Sequence, residues 1–268
     1  MIGRAERIVN YAVLTILAII VLTPVATFVA AALSPDRSGQ PQGELAWENF
    51  VTAWTQAGFG QAMSVTLTIA VLAVAGQVVL GVLAGFGFGV LGVPGNRFLF
   101  PLVLLGLMIS TEAIIVPLYY QLRDWGLTNN IFGVVLIHIG MGVPFAAFWM
   151  RAAFRTQPKS LFEAMELDGA GALRTLWYLG IPLARPAIVT LMLLGFMWTW
   201  NDYFISLVFL HGENVTATVA LGVFQGRFVT QFNLMAAGGL IVAAPVLILY
   251  VIFQRRFIAG MLAGAVRD

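Results

Sequence analysis

The chain has 268 residues, of which 60% are hydrophobic and 10% are charged, and its mean hydropathy is +0.92. Soluble globular domains are roughly 45–50% apolar, so this composition excludes a water-soluble domain and indicates a membrane protein. The net charge of +2 is too small to indicate a nucleic-acid partner, and the absence of cysteine excludes disulfides, thiolate metal sites and a cysteine nucleophile.

Six apolar segments are long enough to cross a hydrocarbon core of about 30 Å as helices. The first follows Arg4 and Arg7, and it is too long for the apolar core of a secretory signal, which spans ~7–15 residues. We therefore interpret it as a retained span. The predicted spans are roughly 9–33, 64–92, 98–122, 130–154, 183–210 and 235–256. They predict an all-α membrane protein of six transmembrane helices in one domain, 1–268.

The positive charges predict the orientation of these spans. An even number of spans places both termini on one side, and arginine and lysine in short loops are retained in the cytoplasm. With both termini inside, most of these residues are cytoplasmic: Arg4, Arg7, Arg97, Arg151, Arg155, Lys159, Arg174, Arg185, Arg255, Arg256 and Arg267. Only Arg37, Arg123 and Arg227 are outside. We expect a multi-pass protein of the cell membrane with cytoplasmic termini and external segments over 34–63 and 211–234.

The second predicted span carries Gly81, Gly85 and Gly89, one small residue every four positions. Such a stripe lets two helix backbones approach closely in lipid. Packing within this chain and an interface with another subunit both stay open as its use. Pro117 and Pro144 fall inside later spans, where proline removes a backbone donor and is expected to kink the helix.

The segment 158–168 between the fourth and fifth spans is predicted as an amphipathic helix. Its charged and apolar residues fall on opposite sides at helical spacing, namely Lys159, Glu163 and Glu166 against Leu161, Phe162 and Met165. Ser160 and Glu163 match a capping box, which predicts a helix start there. Asp168 and Gly169 then form a turn signal, and a second short helix is predicted over 173–179, ending before Pro182.

This segment has the features of a docking element on the cytoplasmic surface. The alternative is a helix that lies on lipid. Glutamates are unfavourable beside anionic headgroups, and the segment joins two spans, so force on it would reach both. These two features favour docking.

The same residues carry a family resemblance. Glu163-Ala164-Met165, then Gly169, then Leu179-Gly180-Ile181-Pro182 resemble the EAA loop of ABC importer permeases, whose pattern is E-A-A-x3-G-x9-I-x-L-P. Met165 replaces the second alanine, and Leu179 and Ile181 exchange aliphatic types. The resemblance implies that a loop at about 156–182 is a coupling helix that seats in a cleft of an ATP-binding subunit. The implied coupling residues are Glu163, Ala164, Met165, Glu166, Asp168, Gly169, Leu173 and Leu176.

Two further segments narrow the resemblance. Trp200–Leu210, "WNDYFISLVFL", and Gln254–Asp268, "QRRFIAGMLAGAVRD", are similar to the second, six-span permease of maltose-type carbohydrate importers. The resemblance implies a second permease subunit, an ATP-binding subunit dimer and an extracytoplasmic solute-binding protein as partners, and a di- or oligosaccharide as the solute. In that family the loop corresponding to Phe224–Phe232 reaches into the binding protein, although a plain connecting loop is the alternative here.

No cofactor or metal is expected on this chain. It has no Walker A sequence, G-x-x-x-x-G-K-[ST], and Lys159 is its only lysine. ATP and magnesium are therefore expected in the partner ATPase, and the chain is expected to be non-catalytic. His138 and His211 are well separated, which predicts no metal site, and His138 is expected to be packed and hydrogen-bonded.

Ionisable groups inside spans are costly in lipid and are candidates for function. Glu112 lies in the third predicted span and Asp202 in the fifth. If both face the pore, they can accept hydrogen bonds from sugar hydroxyls, beside polar and aromatic groups at Asn201, Tyr203, Trp198 and Trp200. The alternative is that Asn201 and Asp202 tie neighbouring helices together and that Glu112 binds a backbone group freed near Pro117.

Other classes of protein stay open at this point. A secondary transporter driven by an ion gradient needs an ion or proton site at mid-membrane, for which Glu112 and Asp202 are the candidates. An integral membrane enzyme needs a cluster of catalytic side chains at a membrane face, and the charged loop is already explained by the EAA pattern. An ABC importer permease for a solute other than sugar is a further alternative.

Overall fold

The computed structural model describes residues 3–35, 45–226 and 231–265, without the side chains of 4–5 and 255–265. Several predicted features lie outside the described residues: the side chains of Arg4, Arg255 and Arg256, the residues Arg37, Arg227 and Arg267, the side chains of the ending after Gln254, and the middle of the loop Phe224–Phe232. Within the described ranges the regular structure is helical.

In chain order the α-helices are α1 (Arg4–Ala32), α2 (Glu48–Gln56), α3 (Phe59–Phe86), α4 (Asn96–Leu105), α5 (Thr111–Asp124), α6 (Ile131–Arg155), α7 (Lys159–Leu167), α8 (Ala172–Thr175), α9 (Ile181–Trp200), α10 (Phe204–Phe209), α11 (Ala217–Ala220) and α12 (Phe232–Ala265). Two π-helical turns, Gly87–Leu91 and Leu176–Gly180, follow α3 and α8. Turns of 3-10 helix cover Gly106–Met108, Gly212–Asn214 and Leu221–Phe224.

Within the described ranges, five helical segments are long and apolar enough to cross a membrane: Glu6–Ala32, Phe59–Leu91, Ile131–Arg155, Ala172–Trp200 and Phe232–Gln254. A sixth crossing is obtained if the bent pair Asn96–Met108 and Thr111–Asp124 is counted as one span. The predicted all-α membrane fold is confirmed.

The third predicted span, 98–122, is a broken helix and not a continuous one. Its two halves meet at 96°, and the backbone between them is extended at Ile109 and Ser110. Pro117 lies inside α5, away from this bend. Gly106 lies next to the bend, and a Cβ there would lie 2.6 Å from the Pro144 ring on α6. Gly106 therefore packs closely on α6 just before the break.

The described chain divides into two compact units. The first combines Met1–Gly60 with Ala220–Pro245, and the second combines Gln61–Val219 with Val246–Asp268. The expectation of a single domain over 1–268 stays a prediction. In the first unit, Asn49 on α2 donates its side-chain amide to the carbonyls of Ala32 and Ser34, each at 2.9 Å. Asn233 donates to the same Ser34 carbonyl at 2.9 Å.

In the second unit, the glycine stripe of α3 packs on α6. A Cβ at Gly81 would lie 2.5 Å from the Cβ of Ala146. At Gly85 it would lie 2.5 Å from the Cβ of Met150 and 2.7 Å from its backbone carbonyl carbon. The two backbones therefore touch, and of the two uses left open for this stripe, packing within the chain is confirmed. A buried cluster from α3, α6 and α9 surrounds this crossing.

The predicted end of the short helix before Pro182 is wrong. α8, the π-helical turn Leu176–Gly180 and α9 follow one another without interruption, so the helical run Ala172–Trp200 forms one candidate span. The π-helical turn widens the helix directly before the proline, which accommodates its ring and its missing backbone donor. This span begins earlier than the predicted 183–210 and ends at Trp200.

Candidate functional site

The segment 156–182 connects α6 to α9, and its first element is α7. The helix begins directly after Pro158, which has extended backbone angles, and no side-chain hydrogen bond caps it. Ser160 lies inside the first turn and not at the N-cap, so the predicted capping box of Ser160 and Glu163 is wrong. Because proline fixes the backbone ahead of the helix, α7 starts without a capping side chain.

The turn predicted at Asp168 and Gly169 ends α7. Gly169 has a φ of 74°, in the left-handed region that glycine favours. The Gly169 N–H donates to the Glu166 carbonyl and the Ala170 N–H donates to the Met165 carbonyl, both at 2.9 Å. These bonds satisfy carbonyls that a helix end leaves open. Open space surrounds the position where a Cβ would be added, so the backbone angle alone demands glycine here.

The two sides of α7 meet different surroundings. Phe162 is half-buried and lies 6.2 Å from Phe86 of α3, ring centroid to centroid, against the cluster that joins α3, α6 and α9. Met165 is also half-buried, whereas Leu161 is 40% exposed. The charged residues Lys159, Glu163 and Glu166 are exposed, and they line a cleft together with Phe162. α7 is thus anchored to the spans by its apolar side while its charged side stays accessible.

A cleft of about 740 Å³ lies beside the charged side of α7. Its wall includes the end of α3 with its π-helical turn, Arg151 and Arg155 of α6, and Asn96 at the start of α4. Arg151 is fixed in place, because its Nε donates to the Phe88 carbonyl at 3.2 Å and its guanidinium lies 3.9 Å from the Phe100 ring centroid. The cleft therefore combines cationic groups from α6 with carboxylates from α7.

The remaining coupling candidates differ in their exposure. Ala164, Asp168 and Gly169 are exposed, and Leu173 is 75% exposed. Leu176 is 5% exposed and belongs to the core cluster, so its side chain lies inside the chain and not on the surface. Two aromatic residues that sequence reasoning missed are exposed beside it, Trp177 at 69% and Tyr178 at 70%. In an apolar stretch, only the burial pattern distinguishes them from core residues.

Asp202 interrupts the fifth predicted span and caps the short helix that follows. Its Oδ2 accepts hydrogen bonds from the Ser206 N–H at 2.9 Å and from the Ser206 hydroxyl at 2.8 Å. Its Oδ1 accepts from the Ile205 N–H at 3.3 Å, and its backbone carbonyl accepts from the Thr218 hydroxyl. Asp202 is mostly buried and acts as a structural tie at the break between α9 and α10.

The other solute-path candidates differ in their exposure and hydrogen bonds. Glu112 is exposed in the first turn of α5 and accepts a hydrogen bond from the Ser110 hydroxyl. Asn201 is exposed and donates to the Met197 carbonyl at 2.8 Å, within its own helix. Tyr203 is 46% exposed.

The two tryptophans differ in the same way. Trp198 is 57% exposed, and its ring lies 4.8 Å from that of Phe145. Trp200 is 3% exposed and stacks on Phe196. The accessible members of the predicted set are therefore Glu112, Asn201, Tyr203 and Trp198.

A buried histidine lies next to Asp202. His138 of α6 is buried, with its Nε2 3.8 Å from the Asp202 carboxylate and without a hydrogen-bond partner. Gln77 of α3 donates its side-chain amide to the His138 carbonyl at 2.8 Å, and it lies against Gly142 and Gly195. His138 is packed as expected, whereas its Nε2 lacks the expected hydrogen bond.

Comparison with protein families decides the class of protein. A family model described as "Binding-protein-dependent transport system inner membrane component" matches residues 77–262, which is more than half of the chain. The chain belongs to this family. The permease resemblance carried by the loop motif is thereby confirmed, and the matched range includes α7, the Gly169 turn and Asp202.

Curated relatives of the permease carry sugar-import names. It is 30% identical to the trehalose transport system permease protein SugB of Mycobacterium tuberculosis, over 97% of this chain and 94% of the relative. It is 29% identical to the melibiose/raffinose/stachyose import permease protein MelC of Bacillus subtilis, over 98% and 99%. It is also 32% identical to the osmoprotective compounds uptake permease protein GgtD of Synechocystis, over 82% and 74%.

A solved structure shares the fold of the permease. A chain of a bacterial ABC transporter involved in the import of the acidic polysaccharide alginate superimposes with a TM-score of 0.79. The match covers 96% of the permease and 99% of that chain, at 24% sequence identity. The permease fold therefore extends over nearly the whole chain, as an inner membrane component with several spans.

Proposed function

We propose that the permease forms, with a second permease subunit, the path of a sugar through the membrane. An extracytoplasmic binding protein delivers the sugar, and a dimer of ATP-binding subunits attaches at α7 and the Gly169 turn. ATP and magnesium are bound by those partners, and this chain carries out no bond chemistry. ATP-driven closure of the ATPase dimer moves α7 and converts an inward-facing pore to an outward-facing one.

The two-sided packing of α7 carries this proposal. Phe162 packs against a cluster to which α3, α6 and α9 all contribute, so a displacement of α7 acts on three spans together. Glu163 and Glu166 remain exposed beside a cleft that also contains arginines. A short helix with one anchored side and one accessible side is suited to transmit the movement of a docked subunit.

The basic residues near α7 also indicate how the chain is oriented in the membrane. Arg151, Arg155 and Lys159 lie together at the end of α6 and the start of α7, and short basic loops are retained in the cytoplasm. We propose that this end of the chain faces the cytoplasm, together with both termini. The coupling segment and the partner ATPase would then be on the same side.

Sugar as the solute is supported by the names of the relatives, which include trehalose, diacetylchitobiose and maltodextrin systems. Within the path, we propose that Asn201, Tyr203, Trp198 and Glu112 contact the solute, since their side chains are accessible. Asp202 and Trp200 hold the break between α9 and α10 in shape. Hydroxyl groups of a sugar suit the amide and carboxylate, and its apolar faces suit the aromatic rings.

The test is uptake by the complete importer reconstituted in lipid vesicles. The binding protein is first purified, and its ligand is identified by mass spectrometry and calorimetry. We expect accumulation of that ligand only with ATP on the ATPase side. Uptake that persists without ATP and follows a proton gradient would support an ion-driven transporter and contradict the proposal.

The GgtD relative is named for the uptake of osmoprotective compounds, so a solute other than a sugar is the alternative to test. The identity of the ligand of the binding protein distinguishes the two solute classes. A sugar ligand supports the proposal, whereas a zwitterionic or amino-acid ligand with the same ATP dependence would retain the importer and replace the solute.

A further inference from the structure

The short helix α2, between α1 and α3, presents an apolar side that the described chain leaves uncovered. Trp47, directly ahead of the helix, is 64% exposed, Val51 is 67% exposed and Trp54 is 45% exposed. Their spacing of four and three residues places them on one side of a helix. Asn49 and Ala53 on the opposite side are buried. One side of α2 is therefore buried and includes the polar residue Asn49, and the opposite side exposes two tryptophans.

Hydrogen bonds hold α2 against the C-terminal end of α1. The Asn49 amide donates to the carbonyls of Ala32 and Ser34, and the Ala46 N–H donates to the Leu33 carbonyl at 2.9 Å. All three carbonyls lie at the C-terminal end of α1, which is a candidate span. α3, another span, begins at Phe59, directly after α2. Because both neighbours are spans, α2 lies where the chain leaves the membrane.

The exposed side of α2 has the chemistry of a lipid interface. Tryptophan is enriched at membrane–water interfaces, where its ring enters the apolar layer and its N–H stays near the headgroups. α2 carries neither lysine nor arginine, and its one ionisable residue is Glu48. An electrostatic contact with an acidic protein surface is thus not favoured. The neighbouring span α1 is itself exposed at Val25 and Val29.

We propose that α2 is an interfacial helix whose Trp47, Val51 and Trp54 side chains are embedded at the boundary between lipid headgroups and acyl chains. The occupant of this surface is the membrane itself and not a protein partner. Through Asn49, the embedded helix also holds the end of α1 at the membrane surface.

The absence of cysteine from the chain makes a direct measurement possible. Val51→Cys is labelled with a nitroxide in the complete importer, reconstituted in nanodiscs of zwitterionic phosphatidylcholine. Collision rates with oxygen, which concentrates in lipid, and with a water-soluble nickel complex are measured by electron paramagnetic resonance. Gln56→Cys, on the exposed opposite side of α2, is the matched control, and Trp54→Cys repeats the test one turn along.

We expect the oxygen-to-nickel collision ratio at Val51 and at Trp54 to exceed that at Gln56 severalfold. Low collision rates with both reagents at Val51 would mean that a protein covers this side, and this result would overturn the proposal. A nickel rate at Val51 as high as that at Gln56 would mean that the side faces water, which would also overturn it.

Discussion

At the scale of single residues, the hydrogen bonds of Asp202 determine what a substitution should do. Two backbone N–H groups and one hydroxyl at the start of α10 depend on its carboxylate. Replacing a capping aspartate by alanine typically costs about 1 kcal/mol, while asparagine caps nearly as well. We expect Asp202→Ala to lower the thermal unfolding temperature of the purified complex and Asp202→Asn to retain most of it.

The same pair of variants separates a structural role from contact with the solute. Glu112→Ala is the control, because Glu112 is exposed and should change thermal stability little. If Asp202→Asn keeps normal assembly and stability but loses uptake, Asp202 contacts the solute. Equal unfolding temperatures for Asp202→Ala and the unmodified complex would contradict its role as a cap.

The left-handed backbone of Gly169 at the end of α7 predicts the effect of adding a side chain there. A residue with a Cβ at a φ of 74° destabilises the fold by roughly 1–2 kcal/mol. No atom lies within 4 Å of a Cβ added at Gly169, so a clash with neighbours adds nothing to this cost. Gly169→Ala should therefore distort the end of α7 and weaken attachment of the ATP-binding subunit, measured as the fraction that co-purifies. Gly171→Ala is the matched control, since Gly171 has an ordinary φ of −69° and equal space. Equal losses in both variants would contradict this account.

The helix α7 and the turn that ends it were predictable because their signals are local. Charged residues at helical spacing and a turn at Asp168 and Gly169 are visible without tertiary structure. The resemblance implied Leu176 as a coupling residue, but a motif does not encode burial, and the structure buries that side chain. Trp177 and Tyr178 were missed for the same reason, since apolar residues in an apolar stretch give no sign of the side on which they lie.

At the scale of elements, the crossing of α3 and α6 gives the third prediction. A Cβ at Gly85 would lie 2.7 Å from backbone of Met150, so neither helix can yield by a rotamer change alone. Overpacking of this kind typically costs 1–3 kcal/mol. We expect Gly85→Ala to lower the thermal unfolding temperature and the yield of assembled complex. Gly140→Ala on α6 is the control, because nothing lies within 4 Å of the added methyl. Normal stability of Gly85→Ala would contradict the close crossing.

The spans themselves were predictable, whereas their interruptions were not. Hydropathy averages over many residues, so it located the candidate spans of the described chain. The bend at Ile109 and Ser110 lies just after a contact between Gly106 and Pro144 that is distant in sequence. The break after Trp200 follows the capping bonds of Asp202. Those capping bonds are local, reaching only three and four residues along the chain, but hydropathy does not register them. Pro182 lies inside a continuous helical run where a helix end was predicted.

At the scale of the whole molecule, the proposed orientation predicts which positions react from outside. Single cysteines can be placed at Arg97, at the start of α4, and at Glu213, both of which are exposed. A membrane-impermeant maleimide should label Glu213→Cys in intact spheroplasts and Arg97→Cys only after permeabilisation. The reverse pattern would invert the orientation and place the coupling segment outside the cell.

The proposed attachment of an ATP-binding subunit at α7 can be tested by crosslinking. A photo-reactive amino acid is introduced at Ala164, which is exposed on α7, and at Val51 of α2 as a control, in an importer shown to transport. We predict a covalent adduct between position 164 and the ATP-binding subunit and none from position 51. A transporting complex in which position 164 forms no adduct with that subunit would contradict the account.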